Sequence, residues 1–146
     1  MLKAALDDLW KKRQDFSLNL YFNPVELSSY MNIYGRYNYS QLESIFENTD
    51  VLIVPSIWYE TFGYTVLEAL SYGVPVIVSD TVGAKDIIAE GCGVVIENID
   101  AKKIETIIDD FNKEKLEQMN ENIIQKQRII GMQEVCKNIT EQCYES

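Results

Sequence analysis

Histidine is absent from this chain of 146 residues, and cysteine and proline occur only three times each. Without histidine the chain by itself has no Ser-His-Asp or Cys-His relay and no imidazole-ligated metal. Cys92, Cys136 and Cys143 form neither a disulfide framework nor a paired metal-knuckle spacing. They read as buried or idle thiols, and no metal site is expected. Basic residues are scarce as well, 13 against 23 acids, for a net charge of −10. A protein that tracks nucleic-acid phosphates needs a basic stripe; none is visible, so no nucleic-acid partner is expected. Any anionic ligand must then be held locally, by a few bases or by backbone N–H groups. No apolar run approaches the roughly 20 residues that cross a bilayer. The opening Met1-Leu2-Lys3-Ala4-Ala5-Leu6-Asp7-Asp8 carries acids where a secretory signal would be apolar. A cytoplasmic protein is the expectation.

What the chain does contain is 47% apolar and 25% charged residues, the balance of a globular domain with a real core. Its length suits one domain, residues 1–146, and not two. Ser17–Phe22 and Tyr30–Tyr34 alternate with period two, as half-buried strands do. Val51–Val54 and Val74–Val78 are continuously apolar, the pattern of strands buried on both faces. Gly93–Ile96 is a short last strand. Helical spacing appears in Leu2–Arg13, with Leu2, Leu6 and Trp10 on one stripe. Ser40-Gln41-Leu42-Glu43 reads as a capping box opening a helix to about Glu47. Tyr64–Tyr72 is a helix closed by Gly73, and Ala84–Glu90 a shorter one. Residues 101–110, 113–125 and about 128–144 read as three more helices, which wrap the sheet or meet another domain. Strand and helix in alternation predict an α/β fold, a parallel sheet with helices on both faces. Such a domain normally begins with a strand, and this chain opens in a helix.

In open parallel sheets, ligands bind beyond the carboxyl ends of the strands. After Val54 comes Pro55-Ser56-Ile57-Trp58-Tyr59-Glu60-Thr61-Phe62-Gly63, and then a helix. Free N–H groups and the positive dipole end at a helix start attract phosphate, and Gly63 lets backbone approach it. Glu68 lies roughly 6–8 Å further along the axis, about the offset from a diphosphate to its ribose. A carboxylate there can accept from both ribose hydroxyls, and Glu60 can accept from sugar hydroxyls. By spacing alone, a lone glutamate such as Glu68 is more often an ordinary solvated or paired helix residue. Trp58 and Tyr59 either line a sugar site or pack against the sheet edge.

The stretch from Pro55 to Ile77 closely resembles the signature of group 1 (family 4) glycosyltransferases. It has two glutamates with seven residues between them, Phe62-Gly63 after the first, Glu68-Ala69 at the end, then Gly73-Val74-Pro75-Val76. Ile33-Tyr34-Gly35-Arg36, Thr49-Asp50-Val51, Ser79–Ile88 and Gly91–Val95 resemble the flanking parts, so the likeness covers about residues 17–112. The resemblance implies a GT-B enzyme of two Rossmann-like domains, of which this is the C-terminal, donor-binding one. It implies metal-independent, retaining transfer of a sugar from a nucleotide sugar, with no cofactor, to a glycan or lipid-linked acceptor. Lack of histidine and of an Asp-x-Asp motif agrees with that. Residue by residue, Glu60 would hold donor-sugar hydroxyls at the reacting centre. Thr61, Phe62, Gly63 and Tyr64 would hold sugar and phosphate, Glu68 the ribose, and Gly35, Arg36 and Tyr37 would lie near the base.

Two departures stand out. The family's first strand carries an Arg and a Lys that neutralise the diphosphate, and the match here begins in the helix after it. Lys3, Lys11, Lys12 and Arg13 read as solvated helix charges, leaving Arg36 as the basic residue at a strand end. Asp86 stands where the family more often has glutamate. The expectation is therefore a domain truncated at its N-terminal edge, inactive alone, completed by an N-terminal Rossmann domain in cis or trans. A full-length enzyme could lie against the inner face of a membrane. Rival readings are a non-catalytic or split-subunit nucleotide-binding module, or another GT-B enzyme. A phosphorylase would need a pyridoxal-bearing lysine, and an epimerase usually brings histidine.

Overall fold

The computed structural model describes residues 1–127; the last expected helix, about 128–144, lies outside them. Helix α1 spans Leu2–Trp10, followed by strands β1 (Leu18–Leu20) and β2 (Met31–Ile33). Then come α2 (Leu42–Glu47), β3 (Leu52–Val54), α3 (Tyr64–Ser71), β4 (Val76–Ser79), β5 (Gly93–Ile96), α4 (Ala101–Asp109) and α5 (Lys113–Lys126). Every ladder is parallel, as expected. The strands form two sheets, though, not one: β1 pairs β2, and β3–β4–β5 form the other. Among the described residues no ladder joins β1 to β3.

Side-chain alternation sorts the core onto two faces. Val76 and Val78 of β4 point toward α2 and α3, where Phe46, Val66 and Leu70 meet them. Ile77, from the other face of the same strand, packs with Ala5 of α1 and Ile104 of α4. Helix α1 continues sideways, with Leu6 and Leu9 against Tyr30 and the flank of β1 and β2. One helix thus covers both sheets. Helix α5 wraps from face to face, with Met119 in the α1–α4 cluster and Ile123 in the α2–α3 cluster.

Several local expectations need correction. β4 is buried throughout, but β3 is only half-buried despite its apolar run, because among the described residues no strand covers its outer edge. The capping box is set two residues earlier than Ser40. Asn38 accepts from the Ser40 N–H, and Gln41 reaches back to the Asn38 N–H at 3.0 Å, opening a 3-10 turn before α2. The helix read over Ala84–Glu90 is a 3-10 segment, Gly83–Ile87. Lys3, Lys12 and Arg13 are not merely solvated. Lys3 pairs with Asp7, and Lys12 pairs with Glu105, which is buried and also bonded to Lys102. Arg13 donates to the carbonyls of Asp109 and Phe111, pinning the end of α1 to the end of α4. Lys12 and Arg13 thus tie the end of α1 to α4, while Lys11 stays in solvent beside Asp8, as expected.

Candidate functional site

The loop after β3 leaves the sheet at Pro55 and is tied at once to the loop after β4. The Ser79 hydroxyl lies 2.6 Å and the Thr81 hydroxyl 2.8 Å from the Ser56 carbonyl oxygen. Further along, Glu60 pairs with Val82 as a single parallel bridge: the Glu60 N–H donates to Thr81 at 3.1 Å, and the Gly83 N–H to Glu60 at 3.0 Å. Ala84 N–H then donates to the Phe62 carbonyl at 2.7 Å. The Glu60 backbone is therefore fixed while its side chain stands in solvent. Ile57, Trp58 and Tyr59 are exposed, so these rings are not packed on the sheet edge.

Gly63 starts α3 with φ +88°, a conformation that L side chains rarely adopt. A Cβ there would also sit 3.0 Å from Val82 Cγ1. No side chain caps this helix start, whereas Asp100 caps α4 and Asn112 caps α5. Tyr64 and Phe62 stand in edge contact above it, centroids 5.1 Å apart. One turn on, Val66, Ala69 and Leu70 go into the core, which leaves Glu68 half-buried on the flank. Burial pushes its carboxyl group above the usual range.

That carboxylate lies near enough to Tyr37, in the loop after β2, for its charge to be felt there. Burial first, and then the charge of Glu68, push the Tyr37 phenol up. Tyr37 meets the edge of Tyr21, which in turn stacks on Tyr34 at 5.3 Å. Gly35 turns the chain at φ +74° with open space where a side chain would be, and Arg36 is exposed. Among the described residues Arg36 has no carboxylate within ion-pair distance.

All the residues singled out from sequence thus lie past the carboxyl ends of β2 and β3. Glu60 is held on the β4 side of the α3 start, and Glu68 borders Tyr37 on the β2 side. Sequence reasoning gave no role to Tyr21, Ser79, Thr81 or Gly83. The signal for Ser79 was readable: a hydroxyl ends the apolar run of β4, and it is fully buried. Glu60, Thr61, Phe62 and Tyr64 are all solvent-exposed here. A concavity of about 450 Å³ lies elsewhere, at the start of β5, lined by Gly91, Gly93, Asn112 and Asn122 among others. It adjoins the amino end of its strand, the wrong end for a ligand site of a parallel sheet. No group of three or more acidic or cysteine side chains that could hold a metal occurs among the described residues.

Residues 10–129 match the family described as glycosyl transferases group 1. The chain belongs to that family. A 41.2 kDa protein in the cps region of Klebsiella pneumoniae, itself uncharacterised, is 38% identical over 77 residues, 52% of this chain and 21% of that protein. An uncharacterised glycosyltransferase of Methanocaldococcus jannaschii is 41% identical over 54 residues, 37% of this chain and 14% of the relative. Among solved structures, WaaG, a glycosyltransferase involved in lipopolysaccharide biosynthesis, superposes with TM-score 0.57 at 19% identity. That match covers 81% of this chain and 32% of WaaG. Sucrose-phosphate synthase from Thermosynechococcus elongatus gives 0.54 at 23% identity, over 80% of this chain and 30% of the synthase. This group 1 glycosyltransferase chain thus spans a third or less of the proteins it resembles, and it has the fold of a Rossmann-like half of a GT-B enzyme.

Proposed function

We propose that this chain is the donor-binding domain of a retaining glycosyltransferase that moves a sugar from a nucleoside diphosphate to a glycan or lipid-linked acceptor, without a metal. The observation that carries the reading is the uncapped, glycine-led start of α3 with Glu60 on one flank and Glu68 on the other. Departure of the diphosphate builds negative charge, and fixed N–H groups at a helix start stabilise it without reorganising. With Lys3, Lys12 and Arg13 already engaged, the amides of Gly63 and Tyr64, aided by Arg36, are the natural partners for that charge. Thr61 and Phe62 would contribute backbone contacts to sugar and phosphate. Glu60 holds sugar hydroxyls and positions the reacting carbon; no covalent step is required of it. Glu68 accepts from the ribose, and Gly35 and Tyr37 border the base.

Exposed residues at this end suit a cleft whose other wall is an N-terminal Rossmann domain, in cis or in trans. The acceptor class rests on family membership and on the lipopolysaccharide role of WaaG. A cytoplasmic protein, peripheral to the inner face of a membrane through the full-length enzyme, is part of the same proposal.

The test is calorimetric titration of the chain with UDP-, GDP- and ADP-sugars. Binding selective for one base is expected; no binding to any of them overturns the proposal. A second reading, a non-catalytic or split-subunit module, is favoured by the absence of a ladder between β1 and β3 among the described residues. A split subunit predicts donor binding with transfer once a separate partner chain is added, and a non-catalytic module predicts donor binding with no transfer in either case. Sugar transfer by residues 1–146 alone would contradict both.

A further inference from the structure

We infer that Ser79, Thr81 and Gly83 are positioning residues for Glu60: the loop after β4 is a template against which the Glu60 loop is cast. This rests on the donor-sugar role proposed above for Glu60. Ser79 is fully buried, where an apolar side chain would be the simpler choice, yet its hydroxyl is aimed at a loop carbonyl. The two hydroxyls are 3.0 Å apart and both within reach of the Ser56 oxygen. Each has a single hydrogen, so at most two of these three contacts are hydrogen bonds at one time. Losing one hydroxyl leaves the carbonyl a partner; losing both leaves none. The far end of the loop is held by the exchange between Glu60, Thr81 and Gly83.

Gly83 sets how closely the two loops lie. A Cβ at this position would clash with the Thr61 carbonyl oxygen and come 3.0 Å from its carbon. Backbone cannot swing aside as a flexible side chain can. Alanine at position 83 must therefore push Thr61 and Glu60 outward. The side chains of Glu68 and Tyr37, at the nucleoside end of the site, make no hydrogen bond to Ser79, Thr81 or Gly83 among the described residues. The loop template thus governs the sugar half of donor recognition and affects the nucleotide half far less.

The test uses the full chain and the nucleotide sugar it binds best among UDP-glucose, GDP-mannose and ADP-glucose, with the matching nucleoside diphosphate as reference. In Gly83→Ala and in the Ser79→Ala/Thr81→Val pair, the ratio of the two dissociation constants shifts at least tenfold against the sugar. Affinity for the diphosphate itself falls far less, by no more than about threefold as the Thr61 backbone is displaced, and Thr81→Ser, which keeps the hydroxyl, behaves as the parent. An unchanged ratio in folded variants overturns the inference, as does an equal loss for both ligands. Should the parent chain bind no nucleotide, the donor-binding reading fails separately. Amide hydrogen exchange then decides: at least tenfold faster exchange at Glu60 and Gly83 in the double variant supports the template, and unchanged exchange overturns it.

Discussion

Glu68→Gln separates binding from stability. The substitution keeps shape and removes charge at a half-buried position on α3. Burial raises the folded-state carboxyl pKa, so the folded chain favours the protonated form. That contribution to stability is full below the ordinary carboxyl range and is lost as pH rises through the raised value. At neutral pH the ionised side chain is therefore a burden on the fold, and glutamine removes it. Thermal melting at pH 7 should be unchanged or higher in the variant, and flatter between acid and neutral pH. Binding should move the other way. Two ribose hydroxyls lose a charged acceptor and keep a neutral one, a difference of about 1–3 kcal/mol. That is roughly 5- to 150-fold in the dissociation constant. Calorimetry with a ribonucleotide and its 2′,3′-dideoxy analogue isolates the effect, because the analogue should bind parent and variant alike. Equal ribonucleotide affinity in the two proteins refutes the ribose role, and so does an equal loss on the analogue.

Glu60→Gln should weaken the nucleotide sugar about tenfold, the loss of one charge-assisted bond, and leave the nucleoside diphosphate within twofold; parallel titrations check it. Gly63→Ala forces a side chain into a left-handed conformation and against Val82. A destabilisation of about 1–3 kcal/mol in urea unfolding is expected, together with weaker diphosphate binding. Ile77→Ala removes a fully buried side chain from the central strand, between α1 and α4. It should lower unfolding free energy by about 2–5 kcal/mol; a loss below 1 kcal/mol would contradict the two-faced core.

How far the sequence carried is visible at particular residues. Val76–Val78 announced a central strand because burial on both faces demands an unbroken apolar run, and the strand is there. The same pattern at Val51–Val54 misled, because hydropathy cannot tell a central strand from a half-buried edge. Ser40 looked like a capping residue, but the turn was taken by Asn38, whose competing side chain lies two residues away. The start of α3 was legible, since glycine after a strand and before an apolar helix has a local, conformational meaning.

By itself, then, the sequence determined the parallel α/β layering, the loop that carries Glu60 and the helix that carries Glu68, and through its signature residues the family resemblance. Each of these follows from short-range periodicity or from residues adjacent in the chain. Tertiary structure alone decided which partners the loops take. Tyr37 beside Glu68 and Ser79 beneath Ser56 are pairs 31 and 23 residues apart in sequence. No local rule couples such pairs: the β3–β4 ladder brings Ser79 to Ser56, and the packing of the two sheets around shared helices brings Tyr37 near Glu68.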